Sequence, residues 1–207
     1  MIVEEPVDHI SEDQTFSADD YLINIVKRAV NNRQNIHISL AGNGSITVLP
    51  SIGEYFNNTE DLEAFCATEA TGFKVSVLGD KDIVTDDTGR NIDELMWMSG
   101  FYASSGRLLE GCLRHDVVEL MHWPNLTRLP GTENSMRIAS LLSSCPTSIT
   151  LARHFLKVDK EEIYQFYSAA HCAGLARAVN RVAKEPVLKP HRNQALLGLL
   201  LQKISRI

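Results

Sequence analysis

The sequence predicts an α+β fold: an N-terminal mixed α/β domain with a small antiparallel sheet, then a mainly helical domain and a terminal helix. Three observations carry this expectation. Short runs between Asn35 and Leu78 alternate apolar and polar residues with period two, as half-buried strands do. Longer segments on either side space their apolar residues three and four apart, as amphipathic helices do. Charge also divides the chain. Residues 1–126 hold 8 Lys+Arg against 21 Asp+Glu, a balance of −13, and residues 127–207 hold 12 against 5, a balance of +7. A split of that size implies two surfaces with different surroundings.

In chain order, residues 1–17 are polar and acidic and read as a flexible arm. The α/β domain of residues 18–126 opens on the helix SADDYLINIVKRAVNN, where Ser17 is placed to cap and Asp20 follows three residues later. Strands are expected at about 35–41 and 45–50, joined at Asn43-Gly44, because both residues of a two-residue hairpin turn need φ > 0. Thr59 caps a short helix ending near Cys66, and FKVSVL supplies a third strand. After the polar loop GDKDIVTDDTGRN comes a second long helix, IDELMWMSGFYASSGRLLEG, and VVELMHW is the last strand of this domain. The turn-rich strip WPNLTRLPGT reads as a structured linker, with Trp123 filling the seam between domains and Arg128 capping a carbonyl.

Residues 127–182 contain three helical segments. ENSMRIASLLSSC is the first, with Met136, Ile138, Ala139, Leu141 and Leu142 apolar. Pro146 opens the second, Thr147 or Ser148 caps it, and Leu151, Ala152, Phe155 and Leu156 are expected to turn inward. After a turn at Val158, Asp159 caps the third with Glu162 three residues on. Its inward stripe is Ile163, Phe166, Tyr167 and Ala170, and Gly174 ends it. This cadence resembles the helix-turn-helix core of bacterial winged-helix domains, which implies either nucleic-acid binding or a protein-docking role. The stretch from His122 to Leu175 also resembles a segment of an uncharacterised bacterial protein family, a likeness that implies no chemistry.

The outward face of the third segment decides between the two roles. It is expected to present Asp159, Lys160, Glu161, Glu162, Gln165 and Ser168, a net charge of −2 where a DNA reader needs to meet phosphates. The expected function is therefore that of a non-enzymatic regulator or adaptor whose winged-helix-like domain binds an acidic protein partner. The contact residues expected are Arg128, Arg137, Arg153, Lys157, Arg177 and Arg181. A DNA-binding transcription regulator with an N-terminal sensing domain is the alternative.

Other chemistry finds little support. Asn43-Gly44 lacks the Lys-Ser/Thr of a phosphate loop, and Cys112, His115, His122, His171 and Cys172 lack the tight spacing of structural zinc. No nucleophile elbow or zinc-protease motif is present, so no catalytic residue, cofactor or metal is assigned. The four cysteines are expected to be reduced and mostly buried. The start lacks a signal-peptide layout and no apolar run approaches the roughly 18 residues of a membrane span, so a cytoplasmic protein without membrane insertion is expected. In residues 183–207, a linker precedes the helix HRNQALLGLLLQKISRI. It is apolar over more than one face and is expected to clamp the two domains or pair with its twin in a homodimer.

Overall fold

The computed structural model describes residues 15–79 and 88–181. Residues 1–14 of the expected arm, most of the polar loop after Gly79 and the terminal helix lie outside those residues, and the end of the arm is no loose segment, because Thr15 and Phe16 form a strand and Phe16 is buried. Strand β1 (Thr15–Phe16) and a single 3-10 turn lead into helix α1 (Leu22–Asn32). Ser17 makes no capping hydrogen bond, and Tyr21 is extended, so the helix starts four residues later than the sequence suggests. A meander follows: β2 (Ile36–Leu40), β3 (Gly44–Leu49) and β4 (Glu54–Thr59). Helix α2 (Leu62–Ala67), β5 (Phe73–Val77) and β6 (Arg90–Asn91) complete this layer. The five strands form one antiparallel sheet in the order β5-β2-β3-β4-β6.

The hairpin turn differs from the expected two-residue form. Leu40 pairs with Gly44, and Asn43 N–H donates to the Leu40 carbonyl at 3.1 Å, so the turn spans Leu40 to Asn43. Positive φ falls on Gly42 at +80° and Gly44 at +99°, and Asn43 is not among the positive-φ residues. Asn43 instead ties the turn to the next one. Its side chain accepts from Asp61 N–H and donates to the Asp61 carbonyl, both at 2.8 Å. Asp61, and not Thr59, caps α2 by accepting from Ala64 N–H. Residues 54–59, too polar to read as a strand, become β4 because β3 offers them a full ladder. Pairing overrides propensity there.

Helix α3 (Ile92–Ser104) is the hub. It is capped by Asn91 and buried around most of its circumference, because α1, α2, β4 and α6 all pack on it. Strand β7 (Leu108–Leu109) pairs in parallel with β1. Beyond it come β8 (Val117–Leu120), α4 (Ser135–Ser144), β9 (Thr147–Ser148), α5 (Ile149–Leu156), α6 (Lys160–Cys172) and β10 (Ala176–Ala178).

Strand β8 does not join the first sheet as expected. It is the middle strand of a second, three-stranded sheet, β10-β8-β9. The N-terminal region thus lends the helical region its central strand. The α6 exit follows the sequence reading: Gly174 sits at φ +69°, its N–H donates to His171 O, and Leu175 N–H reaches back to Ala170 O at 2.8 Å. This is a Schellman closure, open to glycine because the position is left-handed. One continuous cluster of buried apolar residues runs from Phe16 to Ala176.

Trp97 of α3 joins the two regions. It is fully buried, lies edge-on to Phe166 of α6 with centroids 5.4 Å apart, and donates to Pro130 O at 3.0 Å. The seam-filling tryptophan is therefore Trp97, and Trp123 remains half exposed.

Candidate docking surface

Helix α6, expected from the sequence to be the reading helix, is mostly interior. Residues Ile163, Tyr164 and Phe166 to Ala170 are all buried. Two residues expected to face outward turn in. Ser168 is fully buried, accepting from Leu109 N–H at 3.0 Å and donating to Arg107 O, and Gln165 donates to Phe101 O at 3.0 Å. The cause is a close crossing with α3. A Cβ on Gly100 would stand 2.9 Å from Cys172 Cβ and 3.0 Å from Ala169 Cα, so the glycine lets the two backbones approach. Glu162 accepts from Asn134 Nδ2 at 2.7 Å, and the Asp159 side chain makes no capping bond. The exposed acids at the helix start are Asp159 and Glu161.

The six expected contact cations do not form one patch. Arg128 lies 3.5 Å from Glu94, a carboxylate that Arg90 also holds at 3.0 Å. Arg177 faces Glu119 across the β10–β8 ladder, its Nε and Nη2 donating to one oxygen at 2.9 and 2.8 Å. Arg181 donates to both oxygens of the buried Asp116 and to Gly111 O. Those three charges are engaged internally. Arg137 is held by Asn134 Oδ1 at 2.6 Å and Leu156 O at 2.8 Å, both neutral acceptors, so its charge stays uncompensated. Arg153 and Lys157 are exposed and have no side-chain partner among the described residues. Lys157 is left-handed at φ +53° and ends α5.

Around these three the apolar surface departs most from expectation. Helix α5 is capped by Ser148, whose hydroxyl accepts from Leu151 N–H at 3.2 Å. Its buried stripe is Ile149, Ala152 and Leu156. Leu151 and Phe155, expected inward, are 60% and 73% exposed, and Met136 of α4 is 57% exposed. At 100° per residue, positions 151 and 155 fall about 120° from the buried stripe. Eight residues cannot bury both. Met136, Leu141 and Phe155 line a groove of about 470 Å³ between α4 and α5, with Arg137 on its wall. The double stripe was the sequence signal that points to it.

The buried polar cluster beside β8 is structural in character. Asp116, fully buried, also accepts from Leu113 N–H at 2.7 Å and from the Tyr167 hydroxyl at 3.1 Å. Burial pushes the adjacent Cys112 thiol up to about 11, far from a thiolate nucleophile. The Cys66 and Cys172 thiols are raised to about 12 for the same reason. Of the four thiols expected to be mostly buried, Cys66 and Cys112 are buried, Cys172 is half-buried and Cys145 is exposed. No group of three or more His, Cys, Asp or Glu suited to a metal ion occurs among the described residues. Nor is any helix among them long and apolar enough to cross a membrane. No protein-family model matches the chain, and no curated protein or solved structure matches it.

Proposed function

We propose that this protein is a non-enzymatic cytoplasmic adaptor or regulator that docks a partner protein on the α4–α5 face. The reading rests on one observation: Met136 and Phe155 stand exposed on the wall of a groove, with Leu151 exposed one helical turn before Phe155, on a surface whose remaining charge is positive. Isolated exposed apolar residues are ordinary, but a contiguous set around a groove marks an interaction site. The partner that fits is a segment with an apolar anchor for the groove and acidic flanks for Arg137 and Lys157. The DNA-reading alternative needs a long helix free to enter a groove of the duplex. In α6 the inner face is committed to α3, and the exposed start carries Asp159 and Glu161.

The test is a pull-down from the protein's own cell extract, with and without nuclease, beside the variant Phe155→Asp. Phe155 is exposed, so the variant should keep the wild-type circular dichroism and melting temperature. The expected result is a set of proteins retained by the wild type, unaffected by nuclease and lost with Phe155→Asp. Retention that nuclease abolishes, or that the variant leaves intact, contradicts the reading.

A further inference from the structure

Strand β5 forms one edge of the five-stranded sheet, and that edge is open in its backbone and in its side chains. One bond fixes the phase of the ladder. Leu78 N–H donates to Asn35 O at 2.8 Å, so residues 35 and 78 are a hydrogen-bonded pair of the β2–β5 register. Bonded and unbonded pairs alternate along an antiparallel ladder. Lys74 and Ser76 therefore turn their backbone groups to β2, and Phe73, Val75 and Val77 turn theirs away from it. The Phe73 N–H closes the preceding 3-10 turn on Ala70 O. The Phe73 carbonyl and both backbone groups of Val75 and Val77 have no partner among the described residues.

The side chains tell the same story. Phe73, Val75 and Val77 share a face with their cross-strand neighbours Leu40, Ile38 and Ile36. Ile36 and Ile38 are buried there, yet Val75 is 48% and Val77 65% exposed. The layer that buries β2 stops short of β5 and leaves a cavity of about 280 Å³, lined by Ile25, Arg28 and Asn32 of α1 and by Val75 and Val77. Sheet edges are commonly guarded by proline, a bulge or an inward charge. Strand β5 carries no proline, its register with β2 is unbroken, and its one charge, Lys74, lies on the opposite face.

We propose that β5 pairs antiparallel with the β5 of a second copy of this chain, about a two-fold axis at Val75, joining the two sheets into one. In that register Val75 exchanges both backbone bonds with its counterpart, and each Val77 N–H meets the other copy's Phe73 carbonyl. The open apolar side chains of both strands then lie together on one face. On the other face Lys74 stands opposite the second copy's Ser76, so the like charges are not opposed. Charges beside the strand also match. Helix α1 leads through Gln34 into Ile36, the residue opposite Val77, so Arg28 and Asn32 flank the Val77 end of β5. Glu69, exposed, lies just before the Phe73 end. Neither Arg28 nor Glu69 has an ion-pair partner among the described residues. Antiparallel pairing sets the Val77 end of one copy against the Phe73 end of the other, and so turns Arg28 towards the second copy's Glu69.

Sedimentation equilibrium of the full chain tests the proposal. The expected result is a monomer–dimer equilibrium with a limiting mass twice that of the chain. Val75→Lys and Val75→Glu each put like charges directly opposite at the axis and should weaken self-association by about tenfold or more. Mixing the two variants should restore the dimer, a rescue that requires residue 75 to face its own counterpart and shows that both variants fold. Phe155→Asp should leave the dimer intact, which separates failure here from failure of the docking reading. Three results overturn the proposal: a monomer up to sub-millimolar concentration, a dimer that both Val75 variants leave intact, or a mixture of the variants no more associated than either alone.

Discussion

Single residues show how this fold treats its reactive groups. Cys66 is fully buried and Cys112 nearly so, and burial raises their thiols to about 12 and 11 from an ordinary value of 9.0. Cys172 is raised to about 12 as well, and Cys145 alone among the four is exposed. The folded protein should thus react with a thiol reagent such as DTNB at Cys145 only, near pH 8, and at all four cysteines after unfolding. A raised thiol pKa also sets a direction in pH. The folded state holds the neutral form, so this contribution is complete below the unfolded value. Above it the unfolded chain releases protons first, and stability falls by about 1.4 kcal/mol per pH unit for each such thiol, until the folded value is reached. Cys66→Ala should flatten the loss of stability between about pH 9 and 11, as read by denaturant melts. Rapid labelling of two or more thiols in the native protein would contradict the burial.

At the scale of elements, the crossing of α3 and α6 decides which faces of the three helices α4, α5 and α6 remain open. The three helices and their order were legible because capping and stripe signals agree, as at Ser148 and Gly174. The commitment of Gln165 and Ser168 to the interior was not. It depends on Gly100, more than sixty residues upstream, and no periodicity within α6 reports a partner that distant in sequence. Strand β8 carries a similar lesson, since alternation predicts a strand but not which sheet receives it. Strand β4 was missed because its residues, EYFNNT, are stabilised by pairing with β3 more than by preference. Gly100→Val should force α3 and α6 apart and destabilise the protein by about 2 kcal/mol, the ordinary cost of overpacking. Chemical denaturation would measure it. A variant as stable as wild type would mean that the crossing is looser than the Cys172 and Ala169 contacts indicate.

For the whole molecule, the charge division seen in the sequence survives in a modified form. Arg128 and Arg177 spend the excess of the C-terminal part on Glu94 and Glu119, carboxylates of the N-terminal part, and Arg181 does so on Asp116. The balance of +7 therefore reports partly on how the chain holds itself together, which composition does not distinguish from an external partner. Among the described residues, what remains uncompensated gathers on α4 and α5: Arg137 on the wall of an apolar groove, Lys157 directly after the groove residue Leu156, and Arg153 facing a polar cavity. The site was legible as a region, through α5 and its cations. Its apolar part was not, because a helix with two stripes does not declare which one the core will take.

The central claim is that the α4–α5 face, and not α6, meets the partner. A photoreactive p-benzoylphenylalanine in place of Phe155, activated in the protein's own cells, tests it most directly. The account predicts a protein adduct of defined mass that survives nuclease treatment and disappears when Leu151→Asp is added. Adducts that nuclease removes, or none beyond the background of the same probe placed on the exposed turn residue Ile52, would contradict it.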